Sequence, residues 1–294
     1  MSSPVVLESP GAAFEREGEL VSWLQSHGSL LLGFSGGVDS AYLACVAAEA
    51  VGPGRFLAVI GRSASYPAEQ WRMARDVASR AGISVLEVDT HEMDDPRYVA
   101  NPTNRCYFCK SELWSVLERV RAERGIATII DGTNADDLSD HRPGRKAAAE
   151  KGIRSPLAEL GFTKSDIRAL SRARGIPTWS QPSSPCLSSR LPYGTPVTVT
   201  RLSAVERAER SLRALGVSGN LRVRHHGNVA RVEMDVAELE RWLESENSAR
   251  LGDAVRAAGF ASVEIDPRGF RSGSLNVLAG VNPDRGASAP LSGS

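Results

Sequence analysis

The stretch Phe34–Ser40, FSGGVDS, decides the fold. It follows SLLLGF, which reads as a buried strand, and it opens DSAYLACVAAEAV, which reads as a helix. Gly36 and Gly37 let the backbone come close to an anion, while successive N–H groups and the helix N-terminus supply partial positive charge. The Ser35 and Ser40 hydroxyls add donors, so a strand, loop and helix of this composition suit a pyrophosphate. Neither GxxxxGKS nor GxGxxG is present, which sets aside the ordinary P-loop and the dinucleotide fingerprint.

On either side of this loop the pattern alternates. RFLAVI, ISVLEVD and ATIID read as further strands, separated by the helical stretches PAEQWRMARDVASRAG and KSELWSVLERVRAERG. Such alternation predicts an α/β fold with an open parallel sheet, whose ligands bind at the carboxyl ends of the strands. The segment DGTNADDLSDHRPGR follows ATIID and is therefore expected at the same sheet edge as the first loop. In it Thr133 and Asn134 suit phosphate or ribose, Asp136 and Asp137 suit magnesium, and Arg142 and Arg145 suit anionic groups. For Asp140, His141 and Arg145 taken singly, a charged surface turn is the favoured reading.

Further on, TKSDIRALSRARG has a capping-box spacing between Thr163 and Asp166 and a stop at Gly175. IPTWSQPSSPCLSSRLPYGTPVT then breaks all periodicity. Beyond it RLSAVERAERSLRALG reads as a helix, LRVRHHG and VARVEMD as a hairpin, VAELERWLESENSARLGDAVRAAG as a helix, and ASVEID as a last strand. The expected division is a flexible N-terminus over 1–14, a nucleotide domain over 15–195, a smaller α+β domain over 196–278 and a flexible tail over 279–294.

The 294 residues balance 35 Lys and Arg against 35 Asp and Glu, so nothing points to nucleic acid. No basic region followed by a long apolar run suggests a leader, and no apolar stretch is long enough to span a bilayer. A cytoplasmic setting is expected, where a CxxC more often binds metal or does chemistry than forms a disulfide.

Four cysteines occur. Cys106 and Cys109 form a CxxC in NRCYFCK, near a helix start where the dipole favours thiolate. Cys186 stands in SPCLSSR, between Pro185 and a polar loop that also carries Arg190, a group suited to keeping the sulfur ionised. Cys45 falls on the apolar face of the first helix and reads as core. Arg222 and Arg224 lie two apart on a strand, a spacing that suits gripping a phosphate.

SGGVDS in this setting looks like the PP-loop of the ATP pyrophosphatases, and DGTNADDLSDHRPGR resembles their second nucleotide motif. With NRCYFCK, SPCLSSRLPYG and the terminal GFRSGSLN, nearly the whole folded chain closely resembles the LarE family of ATP-dependent sulfur transferases, which act in nickel-pincer nucleotide cofactor synthesis. The resemblance implies adenylation of a carboxylate of a pyridinium-3,5-biscarboxylic acid mononucleotide, then its conversion to a thiocarboxylate. It places ATP, with Mg2+, on Ser35, Gly36, Gly37, Asp39, Ser40, Gly132, Thr133 and Asp137. It places the substrate phosphate on Arg190, Arg222, Arg224 and Glu233, and the reacting sulfur at Cys186.

Some family members sacrifice that cysteine and are left with dehydroalanine, whereas others hold a 4Fe-4S cluster on three cysteines. The set Cys106, Cys109 and Cys186 points to the cluster type. The resemblance further implies a homo-oligomer and a sulfide-supplying partner. A tRNA thiolase and a non-catalytic nucleotide-binding module are the alternatives. The first would carry a basic surface, and the second would have no use for Cys186. His225, His226, Arg268 and Arg271 receive no role.

Overall fold

A computed structural model describes residues 10–138, 143–182 and 184–271. Asp140, His141 and Arg142, the 272–276 part of GFRSGSLN, residues 1–9 and the tail over 279–294 lie outside the described residues.

The chain runs through α1 (Pro10–Ser26), β1 (Leu30–Gly33), α2 (Val38–Val51), β2 (Phe56–Arg62), α3 (Ala68–Arg80), β3 (Val85–Asp89), α4 (Pro96–Val99), α5 (Arg105–Glu123) and β4 (Thr128–Ile130). It continues with α6 (Pro143–Glu150), α7 (Pro156–Glu159), α8 (Lys164–Ala173), α9 (Val199–Ala214), β5 (Leu221–His226), β6 (Val229–Met234), α10 (Val236–Leu243), α11 (Ser245–Ala257) and β7 (Ser262–Ile265).

Two compact units result. The first comprises the chain up to Arg62, Ala68–Thr90 and Lys110–Gln181; the second takes Ser63–Pro67, His91–Cys109 and the chain from Pro182 onward. The sequence suggested one linear boundary at 195. Instead the division passes through α5 between Cys109 and Lys110, so the CxxC belongs with the Cys186 loop.

The first unit is the expected α/β fold. Its parallel sheet has the order β3-β2-β1-β4, and β1 pairs with β2 (Leu32 beside Ala58) and β4 (Leu32 beside Ile130). A strand buried on both faces must be apolar throughout, and Leu30, Leu31 and Leu32 are fully buried. Both Ser171-containing α8 and the preceding loop use the expected cap: Thr163 accepts from Asp166 N, while Asp166 accepts from Thr163 N. Such caps contribute about 1 kcal/mol.

Helix α1 was not legible in the sequence, and the expectation of a loose segment over 1–14 fails at residues 10–14, which are helical. Burial explains it. Ala13, Leu20 and Leu24 enter the core, and Glu17 accepts hydrogen bonds from Tyr42 Oη at 2.7 Å and from Arg174 Nη2 at 2.8 Å.

The second unit has a sheet of order β5-β6-β7, with β5 and β6 antiparallel and β7 parallel to β6. Its core face carries Leu221, Val223 and Val232 against Leu202, Val205, Ala208 and Leu212 of α9. The single helix expected over 236–259 is two helices, broken at Glu244, whose φ of −56° and ψ of 140° are extended. A straight helix over 236–257 would run about 33 Å. The break instead lets Leu239 and Trp242 of α10 share one core with Leu251 and Val255 of α11.

His225 also faces inward in this unit. It is buried, its ring stands edge-on to Phe260 at 5.3 Å, and its Nδ1 has no partner. Burial first, then the positive charge of Arg201, lowers its pKa below the usual histidine value. The unfolded chain therefore takes up the proton first on acidification. Stability attributable to neutral His225 should be complete above about pH 6.5 and should fall as the pH drops through the lowered folded value. Melting curves between about pH 8 and pH 5 should show a smaller acid loss for His225→Leu than for the unsubstituted chain.

Candidate functional site

In the first unit, the parallel pairing of β1 with β4 brings the loops after both strands to one edge. Gly36 has φ +68°, and a Cβ there would lie 2.5 Å from Ala74 Cβ, so α3 leaves room only for glycine. Gly132 approaches the start of α2 closely enough that a Cβ would sit 3.0 Å from Ser40 N. Within the loop Ser35 Oγ and Ser40 Oγ are 3.0 Å apart, Ser40 Oγ donates to Gly37 O, and Gln70 Nε2 donates to Ser35 O at 2.9 Å. No side chain caps α2 at Gly37. The amides of its first turn are thus directed at this edge from a glycine N-cap that has no side chain of its own to offer.

Asp39, in that first turn, accepts from Lys164 Nζ at 2.5 Å through Oδ2, while its buried Oδ1 has no partner. Lys164 also donates its backbone N–H to Asp136 Oδ2 at 2.8 Å. Sequence reading did not single out Lys164, because it stands on a different element some 125 residues from Asp39. Thr133 is turned toward the chain: its N–H and Oγ1 both donate to Asp131. Asn134 and Asp137 exchange backbone-to-side-chain hydrogen bonds, which fixes the turn. Arg145 serves the turn and not an incoming anion. Its Nη1 donates to Asp137 O and Leu138 O, so it closes the turn.

The second unit holds the thiols. Its two cysteine-bearing segments are clamped together. Asn101 Nδ2 donates to Pro192 O at 2.8 Å and Thr195 O at 2.9 Å, and Gly194 N and Val197 N donate to Asn101 O and Val99 O. Tyr98 Oη and Ser188 Oγ are 2.6 Å apart, and Arg105 Nη1 donates to Ser188 O at 2.8 Å. Asn101 adopts φ +54° to do this, a conformation few side chains other than asparagine accept.

The clamp joins the segment that carries Cys106 and Cys109 to the one that carries Cys186. Burial raises the Tyr98 pKa, and Cys186 and Cys109 push it further. Tyr193 is raised by burial, then by Cys106 and Cys186. Cys106 is exposed, and Cys109 and Cys186 are half-buried. Among the described residues no three His, Cys, Asp or Glu side chains are grouped to hold a metal ion. Cys45 is apart in the first unit, where it lines a cavity of about 610 Å³ with Phe56 and Val77. Burial, aided by Glu49, raises its thiol to about 11.

Arg190 does not serve Cys186 as expected. Its guanidinium forms a two-pronged pair with Glu209 (2.9 and 3.0 Å) and donates to Pro185 O and Cys186 O. It holds the backbone of the cysteine turn, and its charge is met by Glu209. Leaving such a buried cation alone costs about 3–5 kcal/mol, so Arg190 stays in place.

Arg222, Arg224 and Glu233 come together on the face of β5 and β6 away from the core, and Arg224 pairs with Glu233 at 2.8 Å. Arg222 is buried over the Phe270 ring. Burial, then repulsion from Arg190, lowers its pKa to about 10. Arg268 and Arg271 both pair with Asp266.

The NAD synthase family profile matches residues 19–100. The chain is 33% identical over 261 residues to the pyridinium-3,5-bisthiocarboxylic acid mononucleotide synthase of Lactiplantibacillus plantarum, covering 89% of this chain and 94% of that one. It is 42% identical to an uncharacterized protein of Synechocystis sp. (88% and 97% covered) and 27% identical to one of Methanocaldococcus jannaschii (70% and 77% covered).

Two outcomes follow from this geometry. Gly36→Ala should fold with reduced stability and lose at least about tenfold in ATP affinity by calorimetry, because the loop must move off α3. Arg222→Met should melt about 2–4 °C higher, since a desolvated, repelled charge is removed, yet lose the rise in melting temperature that a mononucleotide phosphate gives the unsubstituted chain.

Proposed function

The chain belongs to the LarE family, and from that premise we propose that it is an ATP-dependent sulfur transferase converting a carboxylate of pyridinium-3,5-biscarboxylic acid mononucleotide into a thiocarboxylate. One observation carries this reading: the segment that holds Cys106 and Cys109 and the segment that holds Cys186, roughly 80 residues apart in sequence, are hydrogen-bonded together inside one unit through Tyr98, Asn101 and Arg105.

The first unit would bind ATP through the uncapped amides of α2 and through Ser35, Gly36, Gly37, Asp39, Ser40, Gly132, Thr133 and Asp137. The orphan Oδ1 of Asp39 is the oxygen offered to Mg2+. Magnesium takes one or two carboxylates and draws its other ligands from phosphates and water, so a larger protein cage is unnecessary. Attack of the substrate carboxylate on the α-phosphorus then releases pyrophosphate and leaves an acyl adenylate, a good electrophile. Arg222 and Arg224, with Glu233 orienting Arg224 and Arg190 fixing the adjoining turn, would receive the substrate phosphate.

Sulfur would be delivered at Cys186. A sulfur nucleophile attacks the acyl carbon, AMP departs, and the thiocarboxylate remains. Cys106, Cys109 and Cys186 suit a 4Fe-4S cluster in donor chemistry, because each thiolate takes a separate iron and the three need not meet at one ion. Bound there, such a cluster supplies an open iron for sulfide. We extend the proposal to a cytoplasmic homo-oligomer recharged by a sulfide-supplying partner.

Anaerobic purification followed by iron, sulfide and absorbance measurements tests the cluster. Cys186→Ala should release pyrophosphate in a substrate-dependent manner yet form no thiocarboxylate by mass spectrometry; thiocarboxylate at the unsubstituted rate would sink the role of Cys186. An iron-free chain that transfers one sulfur and becomes about 34 Da lighter would instead make Cys186 itself the donor, its Cβ–S bond cleaved to leave dehydroalanine.

A further inference from the structure

Arg105 is 4% exposed. Its Nη1 donates to Asn101 Oδ1 at 2.7 Å and to Ser188 O at 2.8 Å, and its guanidinium hydrogen-bonds the Cys106 side chain. Neither oxygen partner is charged, and among the described residues no carboxylate pairs with it. Two other buried arginines of this unit differ directly: Glu209 answers Arg190, and Glu233 answers Arg224.

A buried guanidinium without a carboxylate is costly, because desolvation is not repaid by a fixed counter-charge. Keeping one makes sense where an anion arrives from elsewhere. Its place in the chain identifies that anion by chemistry, since Arg105 directly precedes Cys106 and its acceptor Ser188 O lies two residues from Cys186.

We infer that Arg105 is the counter-cation of the sulfur centre: a positioning residue that ties the CxxC arm to the Cys186 arm and keeps beside the sulfurs a positive charge that no carboxylate meets, ready for an incoming anion. The fork shape matters as much as the charge. One guanidinium reaches the Asn101 side chain, the Ser188 carbonyl and Cys106 together, whereas a lysine ammonium is a point charge without that planar reach. The inference rests on the sulfur-transferase reading for its purpose, but its test needs neither ATP nor substrate.

The test compares alkylation of the full-length, metal-free chain by iodoacetate, an anion, and iodoacetamide, a neutral reagent of similar size. Rates are read at Cys106 and Cys186 by peptide mass spectrometry, with Cys45 as the reporter of unfolding. In the unsubstituted chain the iodoacetate-to-iodoacetamide ratio should exceed that of N-acetylcysteine by about tenfold, and added salt should reduce it. Arg105→Met should bring the ratio down to the free-thiol value, and Arg105→Lys should restore most of it. A ratio no higher than that of N-acetylcysteine in the unsubstituted chain overturns the inference. So does an unchanged ratio in Arg105→Met with Cys45 still protected. Should Arg105→Met expose Cys45, the unsubstituted chain and Arg105→Lys decide. A chain with the raised ratio but no thiocarboxylate product would refute the proposed function and leave this inference standing.

Discussion

The sulfur-bearing half of the molecule depends on one clamp: the hydrogen bonds that Tyr98, Asn101 and Arg105 make with residues 188–197. These bonds join two stretches that have little periodicity of their own. Each lost bond would leave a buried donor or acceptor unsatisfied, which costs more than the bond itself contributes. For that reason the arrangement is held jointly, and the unusual backbone of Asn101 is tolerated within it.

A different constraint governs the nucleotide loop. There the backbone supplies the chemistry, and the side chains mainly keep out of its way. Ala74 of α3 stands where a Gly36 side chain would be, and Ser40 N stands close to where a Gly132 side chain would begin. Lys164 pairs with only one Asp39 oxygen and leaves the other buried and orphaned. An unsatisfied buried carboxylate oxygen and an uncapped helix start are both unfavourable in isolation. They are compatible with stability when a cation and an anion come to them together.

The arginines of the second unit show how alike residues diverge once folded. Arg190, Arg222, Arg224 and Arg105 are all buried. Arg190 and Arg224 have glutamate partners and act on backbone carbonyls, which makes them parts of the framework. Arg222 carries a charge weakened by burial and repulsion, and Arg105 carries one without a carboxylate. In sequence, the two-residue spacing of Arg222 and Arg224 and the place of Arg190 in SPCLSSR were the usable signals.

The sequence by itself determined the alternation of the first unit, the loop at Phe34–Ser40, the capping box at Thr163 and the hairpin of β5 and β6. These are local matters of periodicity, glycine and capping chemistry, so a short window contains their cause. The tertiary structure alone decided the rest. Helix α1 exists because its apolar face and Glu17 find partners on α2 and α8; α10 and α11 separate so that both can bury one face. Arg145 and Arg190 turn to backbone carbonyls, and Lys164 and Arg105 gain importance from groups tens of residues away. The joining of the segment that carries Cys106 and Cys109 to the one that carries Cys186 belongs to this second class, because the hydrogen bonds that close a gap of roughly 80 residues are encoded in no single segment.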